Sequence, residues 1–236
     1  MKRYRRMIVS CLVLAALASV IALSFMLVGS GAPAVAPESA QAAALAPAPA
    51  TDTSAALPEV VISADFAVGY SSIGQLNKAA DLVVRGEVTD VSYLDFNSTA
   101  YTKVTLKVSK CFKGNAAAGD EITILEVGGV TSMATIKGDK FGTPTREDTE
   151  TRVKVLLEGA PLTRDGEKCV YFLGTGSIGI VSGTYYVPMG AFQGRFKIDN
   201  GTAKRFVPSD WQGTKFTPLA MDESTVDDTV AQAAAQ

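Results

Sequence analysis

The stretch that decides the fold runs from residue 80 to residue 114 and reads ADLVVRGEVTDVSYLDFNSTAYTKVTLKVSKCFKG. Polar and apolar residues alternate in both of its halves, with apolar side chains at Leu82, Val84 and Val88 and then at Val104, Leu106 and Val108. A period of two indicates β-strands with one buried face and one solvated face. The polar residues 95–98 between the halves supply a turn. The stretch therefore predicts a long β-hairpin.

Shorter strand-like segments lie on both sides of this hairpin. Ser72 is placed to cap a short helix over residues 73–80, ahead of the first long strand. The strand segments are residues 60–62, 121–127, 168–173, 185–187, 193–198 and 202–207. Residues 128–151 form a less regular connection, in which residues 133–136 read as a short strand. Three meandering strands, an irregular connection and two closing strands predict an all-β, five-stranded barrel of the OB type. A small β-sandwich stays open as the alternative.

Composition excludes several classes of function. The 236 residues include 22 basic, 24 acidic and no histidine residues, so Ser-His-Asp and Cys-His hydrolases and the usual zinc sites are excluded. Four of the basic residues lie at the extreme N-terminus: Lys2, Arg3, Arg5 and Arg6. Removing these four from the 22 leaves 18 basic against 24 acidic residues, or a net charge near −6. A nucleic-acid-binding domain carries the opposite bias, and we expect no such partner.

The N-terminus has the pattern of an export signal. Residues 7–28 form an apolar run behind the basic residues, long enough for a single membrane helix. Residues 1–28 are therefore a signal anchor or a cleaved signal peptide, with small-residue cleavage sites after Ala34 and Ala42. The anchor predicts a single-pass protein of the cell membrane with an extracytoplasmic C-terminal domain, and cleavage predicts a secreted one.

Two further segments flank the predicted barrel domain of residues 58–216. Residues 29–57 are rich in alanine and proline and predict a disordered, extended linker. Residues 217–236 are acidic and end in an alanine-rich run, which predicts a disordered tail.

Three segments carry a resemblance to a known family. Residues 80–88, ADLVVRGEV, resemble the strand that opens the barrel of the netrin-like domain, as in tissue inhibitors of metalloproteinases. Residues 104–114, with their CFKG ending, and residues 166–173, GEKCVYFL, are similar to two later parts of that domain. The same patterns resemble exported, uncharacterised barrel proteins of Gram-positive bacteria. The resemblance implies the OB fold more than any activity.

The cysteines depart from the family pattern. Metalloproteinase inhibition in that family needs a cysteine at the mature N-terminus, and here none lies between Cys11 and Cys111. The chelating mechanism is therefore disfavoured. Cys111 and Cys169 are the two remaining thiols, and in an oxidising compartment they form either a disulfide or two buried free thiols.

The candidate binding residues lie on the hairpin. Lys103, Thr105 and Lys107 alternate along the second strand, and Arg85 lies on the first strand. The aromatic Tyr101, near the hairpin tip, adds a group for stacking. OB barrels bind ligands along this kind of surface. The same alternation is also typical of a solvated strand face, and both interpretations stay open. We expect no catalytic residue, no metal site and no cofactor.

The predicted function is a non-enzymatic extracytoplasmic module that binds a protein, a peptide or a cell-envelope component. Two alternatives stay open. One is a secreted hydrolase that uses a pair of carboxylates or a Ser-Lys pair. The other is a protease inhibitor that acts through the connection over residues 128–151.

Overall fold

The computed structural model describes residues 57–138, 142–211 and 218–234. The expected membrane helix over residues 1–28 and nearly all of the expected linker over residues 29–57 lie outside the described residues. Within the described ranges, no helix combines the length and the apolar character needed to cross a membrane.

The described part of the chain is mainly β-structure. Its strands are β1 (Glu59–Ile62), β2 (Leu82–Phe96), β3 (Thr99–Lys113), β4 (Glu121–Val127), β5 (Gly129–Ser132), β6 (Arg152–Leu157), β7 (Lys168–Thr175), β8 (Tyr186–Pro188), β9 (Arg195–Asp199), β10 (Thr202–Arg205) and β11 (Ala220–Asp222). Its helices are α1 (Ile73–Ala79), α2 (Met133–Lys137), α3 (Arg146–Glu150) and α4 (Val226–Ala234). Ser72 caps α1 by accepting a hydrogen bond from the backbone N–H of Gln75. A β-rich fold with a short helix before the first long strand is confirmed.

The predicted hairpin is formed by β2 and β3, which pair antiparallel over their whole length. Asn97 and Ser98 form its two-residue turn with φ angles of 49° and 59°, a left-handed pair that matches the twist of the strands. The ladder shifts register at three places. One shift follows Arg85, at Gly86, where a Cβ atom would lie 2.4 Å from the carbonyl oxygen of Lys107. Only glycine lets the two strands approach this closely.

Five strands pair in a closed ring. Their order is β7-β2-β3-β4-β8, and β8 pairs with β7 as well as with β4. Every pair is antiparallel except β4–β8, which is parallel with Ile124 opposite Tyr186. The interior of the ring is filled by one apolar cluster, which contains Leu82, Val84, Val88, Val104, Leu106, Val108, Ile122, Ile124, Tyr171 and Leu173. The apolar positions predicted for the hairpin are therefore the ones that face the core.

A second apolar layer covers the outside of β2 and β7. Strand β9 pairs with β7 and extends the large sheet through β10 to β11. Val83 on β2 is fully buried there together with Phe172, Phe196 and Leu76 of α1. The prediction of one wet face is thus wrong for the start of β2, because this layer covers its outer side.

The expected disordered tail needs a correction. Residues 220–222 form β11, which pairs with β10, and residues 226–234 form α4. Val226 and Val230 are fully buried in the layer over β2 and β7, and Met221 is nearly so. Apolar side chains four residues apart place one face of a helix on the domain, and their burial offsets the cost of ordering the segment.

The connection over residues 128–151 is also more regular than expected. Strands β1, β6 and β5 form a separate three-stranded sheet, with β1 parallel to β6. Residues 133–136 belong to helix α2 instead of the expected strand, because the Ser132 side chain accepts from the backbone N–H of Thr135 and caps the helix. Thr145 and Asp148 form a capping box that starts α3.

Candidate functional site

Four of the five predicted binding residues share one surface of the ring. Tyr101, Lys103, Thr105 and Lys107 occupy alternate positions of β3, opposite to the buried Val104 and Leu106. They therefore lie on the outer face. Lys107 is exposed and the other three are half-buried.

The two lysines of this surface differ in their electrostatic surroundings. Lys107 lies between Glu87 on β2 and Glu121 on β4, so acidic residues flank its charge on both neighbouring strands. Lys103 lies between Ser92 and Leu125, and it forms no ion pair with any residue in the described part of the chain. The surface is therefore not a basic patch. Neither lysine forms an ion pair with a described residue, and of the two only Lys103 has no acidic residue directly opposite it on a neighbouring strand.

Arg85, the fifth predicted residue, is engaged by the C-terminal segment. Its guanidinium lies 2.9 Å from Glu223 and 3.4 Å from Asp227. Lys110, opposite Arg85 on β3, lies 2.9 Å from Asp227. Arg85 therefore helps to hold α4 on the domain, and its charge is already compensated within the chain.

The sequence reasoning missed the apolar part of the same surface. Leu125 and Val127 follow on β4, with Val127 opposite Tyr101. Val187 lies beside Leu125 on the outside of β8, because its neighbour Tyr186 packs against the interior of the ring. Val127 and Val187 are each 37% exposed. We call this set, Tyr101, Lys103, Leu125, Val127 and Val187, the β3–β4–β8 face.

The connection from β7 to β8 also exposes an apolar side chain. Ile178 is 59% exposed, and its backbone carbonyl accepts a hydrogen bond from the Tyr185 hydroxyl. A signal for this region was present in the sequence, since residues 169–194 contain no charged side chain. An uncharged run of this length in a chain with 19% charged residues marks either core or a contact surface.

A buried polar network closes the end of the ring behind Val127. Glu126 accepts a hydrogen bond from Thr163 at 2.7 Å and one from the Tyr171 hydroxyl at 3.0 Å. Arg195 lies 2.9 Å from the same carboxylate and also donates to Thr163 and to the carbonyl of Pro161. Both oxygens of the Glu126 carboxylate thus have partners inside the protein. The network links β4, β7 and β9 at this end of the ring.

The pKa values of this network fit a structural role. Burial opposes the charge on Arg195, but the combined attraction of the surrounding acidic groups, Glu126 first among them, outweighs it and raises the pKa above its usual range. Burial, and then the negative charge of Glu126, raise the pKa of the Tyr171 hydroxyl well above its ordinary value. Neither group therefore changes its charge near neutral pH. The cavity beside them, lined by Phe192, Pro161 and others, has a volume of about 20 Å³, enough for one water molecule.

The sequence left a disulfide and two buried free thiols open for Cys111 and Cys169. In the structure both are free thiols, with Cys169 buried and Cys111 half-buried. Strand β2 lies between them, with Val84 opposite Cys111 and Gly86 opposite Cys169. Two strand spacings of roughly 4.8 Å each separate the residues, which exceeds the reach of a disulfide. Burial raises the pKa of the Cys169 thiol to about 12, so it is unreactive.

The described residues hold no arrangement that favours the hydrolase alternative. Two carboxylates are buried, Glu126 and Asp148, and their hydrogen-bond partners are different residues. No lysine is among the buried side chains of the described ranges. Within the same ranges, no group of three or more acidic or cysteine side chains is placed to hold a metal ion.

A comparison with models of known protein families found no match for this chain, and a comparison with curated proteins found none either. The resemblance to the netrin-like domain therefore remains a prediction that depends on the three segments quoted above.

Proposed function

We propose that this chain is a non-enzymatic binding module of the cell envelope. Residues 1–28 tether it to the membrane, residues 29–57 hold the domain clear of the surface, and the β3–β4–β8 face binds a protein or peptide. The tether is proposed from the basic and apolar pattern of the N-terminus alone.

The observation that carries this proposal is the exposed apolar surface on the β3–β4–β8 face. Val127 and Val187 are two of the five exposed large apolar side chains among the described residues, and they lie on the paired strands β4 and β8. Clusters of exposed apolar side chains on a folded domain are typical of contact surfaces. Single exposed valines such as Val61 need no such explanation.

The topology supports the same surface. We propose that the closed ring is an OB-type barrel of the netrin-like kind, because its strand order and its one parallel pair, β4 with β8, are those of that fold. OB barrels bind through the outer face of their second and third strands and the loops beside it. In this chain those strands are β3 and β4, and the β7–β8 connection is one of the flanking loops.

The chemistry of the face favours a protein or peptide over the other partner classes. A nucleic acid would require several uncompensated cations, and the face has one. A membrane surface would require basic residues around large apolar or aromatic groups, whereas residues 169–194 have no charged side chain.

The proposal is tested by affinity capture from native cell envelope with the full chain as bait. Val127→Glu and Val187→Glu place a charge on the face, and we expect each to abolish capture of the specific partner. Val61→Glu is the matched control, since Val61 is 58% exposed but lies on β1 in the other sheet. Capture that is equal for all three variants and the unchanged chain would contradict the proposal.

A further inference from the structure

The unpaired lysine of the β3–β4–β8 face suggests what kind of partner the face accepts. The other cations close to it on β2 and β3 have acidic neighbours: Arg85 and Lys110 pair with α4, and Lys107 lies between two glutamates. Lys103 is the exception. Asp90 on β2 lies opposite Thr105 and so diagonally across from Lys103, but Asp90 and Lys103 form no ion pair.

The surroundings of Lys103 make its charge more effective than that of an ordinary surface lysine. The residue is half-buried, and its neighbour on β4 is Leu125, which is 2% exposed. On the β4 side no polar side chain competes for the ammonium, and on the β2 side the residue directly opposite is Ser92. A carboxylate delivered there by a partner forms a charge-assisted hydrogen bond that the chain itself does not supply.

We propose, building on the binding function above, that the β3–β4–β8 face recognises an extended peptide segment that combines a carboxylate with apolar side chains. Lys103 binds the carboxylate, and Val127 and Val187 contact the apolar side chains. The spacing follows from the strands: Val127 is two residues further along β4 than Leu125, the neighbour of Lys103, or roughly 7 Å. In an extended peptide, this distance separates residues two positions apart.

The test uses the purified full chain and a library of random-sequence peptides displayed on phage. We expect the selected peptides to share an acidic residue two or three positions from an aliphatic or aromatic one. The strongest peptide is then synthesised with its acidic residue intact and with that residue replaced by the matching amide. Binding of both forms is measured to the unchanged chain and to the variants Lys103→Met and Lys204→Met.

Lys103→Met keeps the apolar stem and removes the charge, and we expect it to weaken binding of the acidic peptide about tenfold, equal to about 1.4 kcal/mol. The amide peptide should bind the unchanged chain and Lys103→Met equally. Lys204→Met is the control, because Lys204 is an exposed lysine of β10, outside the face.

Four results would overturn the inference. Selected peptides without an acidic residue, or full binding by Lys103→Met, would remove the carboxylate partner while leaving the proposed binding function intact. Binding of vesicles of anionic phospholipid that is lost in Lys103→Met would assign the lysine to a lipid headgroup instead. Failure to select any peptide whose binding Val187→Glu abolishes would contradict both the inference and the proposed function.

Discussion

At the scale of single residues, the buried ion pair between Glu126 and Arg195 stabilises the end of the ring. Glu126 and Arg195 are both buried, and each compensates the charge of the other at 2.9 Å. Two buried charges of this kind contribute little as a pair compared with apolar residues, but each becomes costly when the other is removed. The network is therefore expected to be sensitive to any change of one partner.

We expect Arg195→Met to lower the free energy of unfolding by about 3–5 kcal/mol, because it leaves the Glu126 carboxylate buried without a counter-charge. Denaturation in urea, followed by circular dichroism, measures the loss. The double variant Glu126→Gln/Arg195→Met should lose less unfolding free energy than the two single variants added together, because neither position then carries a buried charge without a partner. Additive losses would show that the two residues act independently.

Asp148 gives a second prediction for a single residue, this time in acid. Lys137 lies 2.5 Å from its carboxylate, and Thr145 donates to it from its backbone and its hydroxyl. The hydrogen bond from Lys137 and then those from Thr145 lower the pKa of Asp148 from 3.8 to about 2. Because the pKa of this carboxyl is lower in the folded than in the unfolded chain, its charge stabilises the folded protein at every pH above the unfolded-state pKa. This contribution is lost as the pH falls from the unfolded-state pKa through the folded-state pKa.

Asp148→Asn should therefore lower the thermal unfolding temperature near neutral pH, and the difference from the unchanged chain should shrink between about pH 4 and about pH 2. Scans of both proteins across this range measure it. A difference that stays constant over the range would show that the carboxylate's charge makes no contribution through Lys137 and Thr145.

At the scale of elements, Gly86 sets the distance between β2 and β3. A Cβ atom there would lie 2.4 Å from a backbone carbonyl and 2.9 Å from the Leu106 side chain, so the strands would have to separate. We expect Gly86→Ala to cost about 1–3 kcal/mol of unfolding free energy. Gly179→Ala is the control, since nothing lies within 4 Å of its Cβ position. Equal effects of the two changes would contradict the close approach.

Helix α4 is held by two kinds of contact that differ in strength. Val230→Ala removes two methyl groups from a fully buried position and should cost about 2 kcal/mol. Asp227→Asn breaks half-exposed ion pairs with Arg85 and Lys110 and should cost less than about 1 kcal/mol. Urea denaturation of the two variants ranks them. A larger loss from Asp227→Asn would mean that charge, and not burial, holds the helix.

At the scale of the whole molecule, local patterns in the sequence predict the strands of the ring well. The alternation in residues 82–108 identifies the interior side chains. Between the predicted strands 193–198 and 202–207, the residues Asn200 and Gly201 are a typical tight-turn pair, and both have positive φ angles in the turn between β9 and β10. These features depend on neighbouring residues only, so a single sequence contains them.

The parts that sequence reasoning missed all depend on contacts between distant segments. The acidic C-terminus folds because Val226 and Val230 meet an apolar layer on β2 and β7, which composition does not show. Arg85 is not part of the candidate site for the same reason: its ion-pair partners lie about 140 residues further along the sequence. Val187 joins the site only because β8 closes the ring beside β4.

The thiols offer a test of the topology of the whole ring. Because β2 separates Cys111 from Cys169, we expect mass spectrometry of the unreduced, unfolded chain to find no peptide pair that joins them. The two cysteines should be alkylated in the unfolded chain without prior reduction. A bridged pair would require a different order of β2, β3 and β7.

The most direct measurement of the central claim is photo-crosslinking in the intact cell envelope. A benzophenone amino acid replaces Val187 on the β3–β4–β8 face in one variant and Val61 on β1 in a second. We predict that position 187 yields one defined protein adduct on illumination and that position 61 yields none. Adducts from both positions alike, or an adduct from position 61 alone, would contradict a binding function for this face.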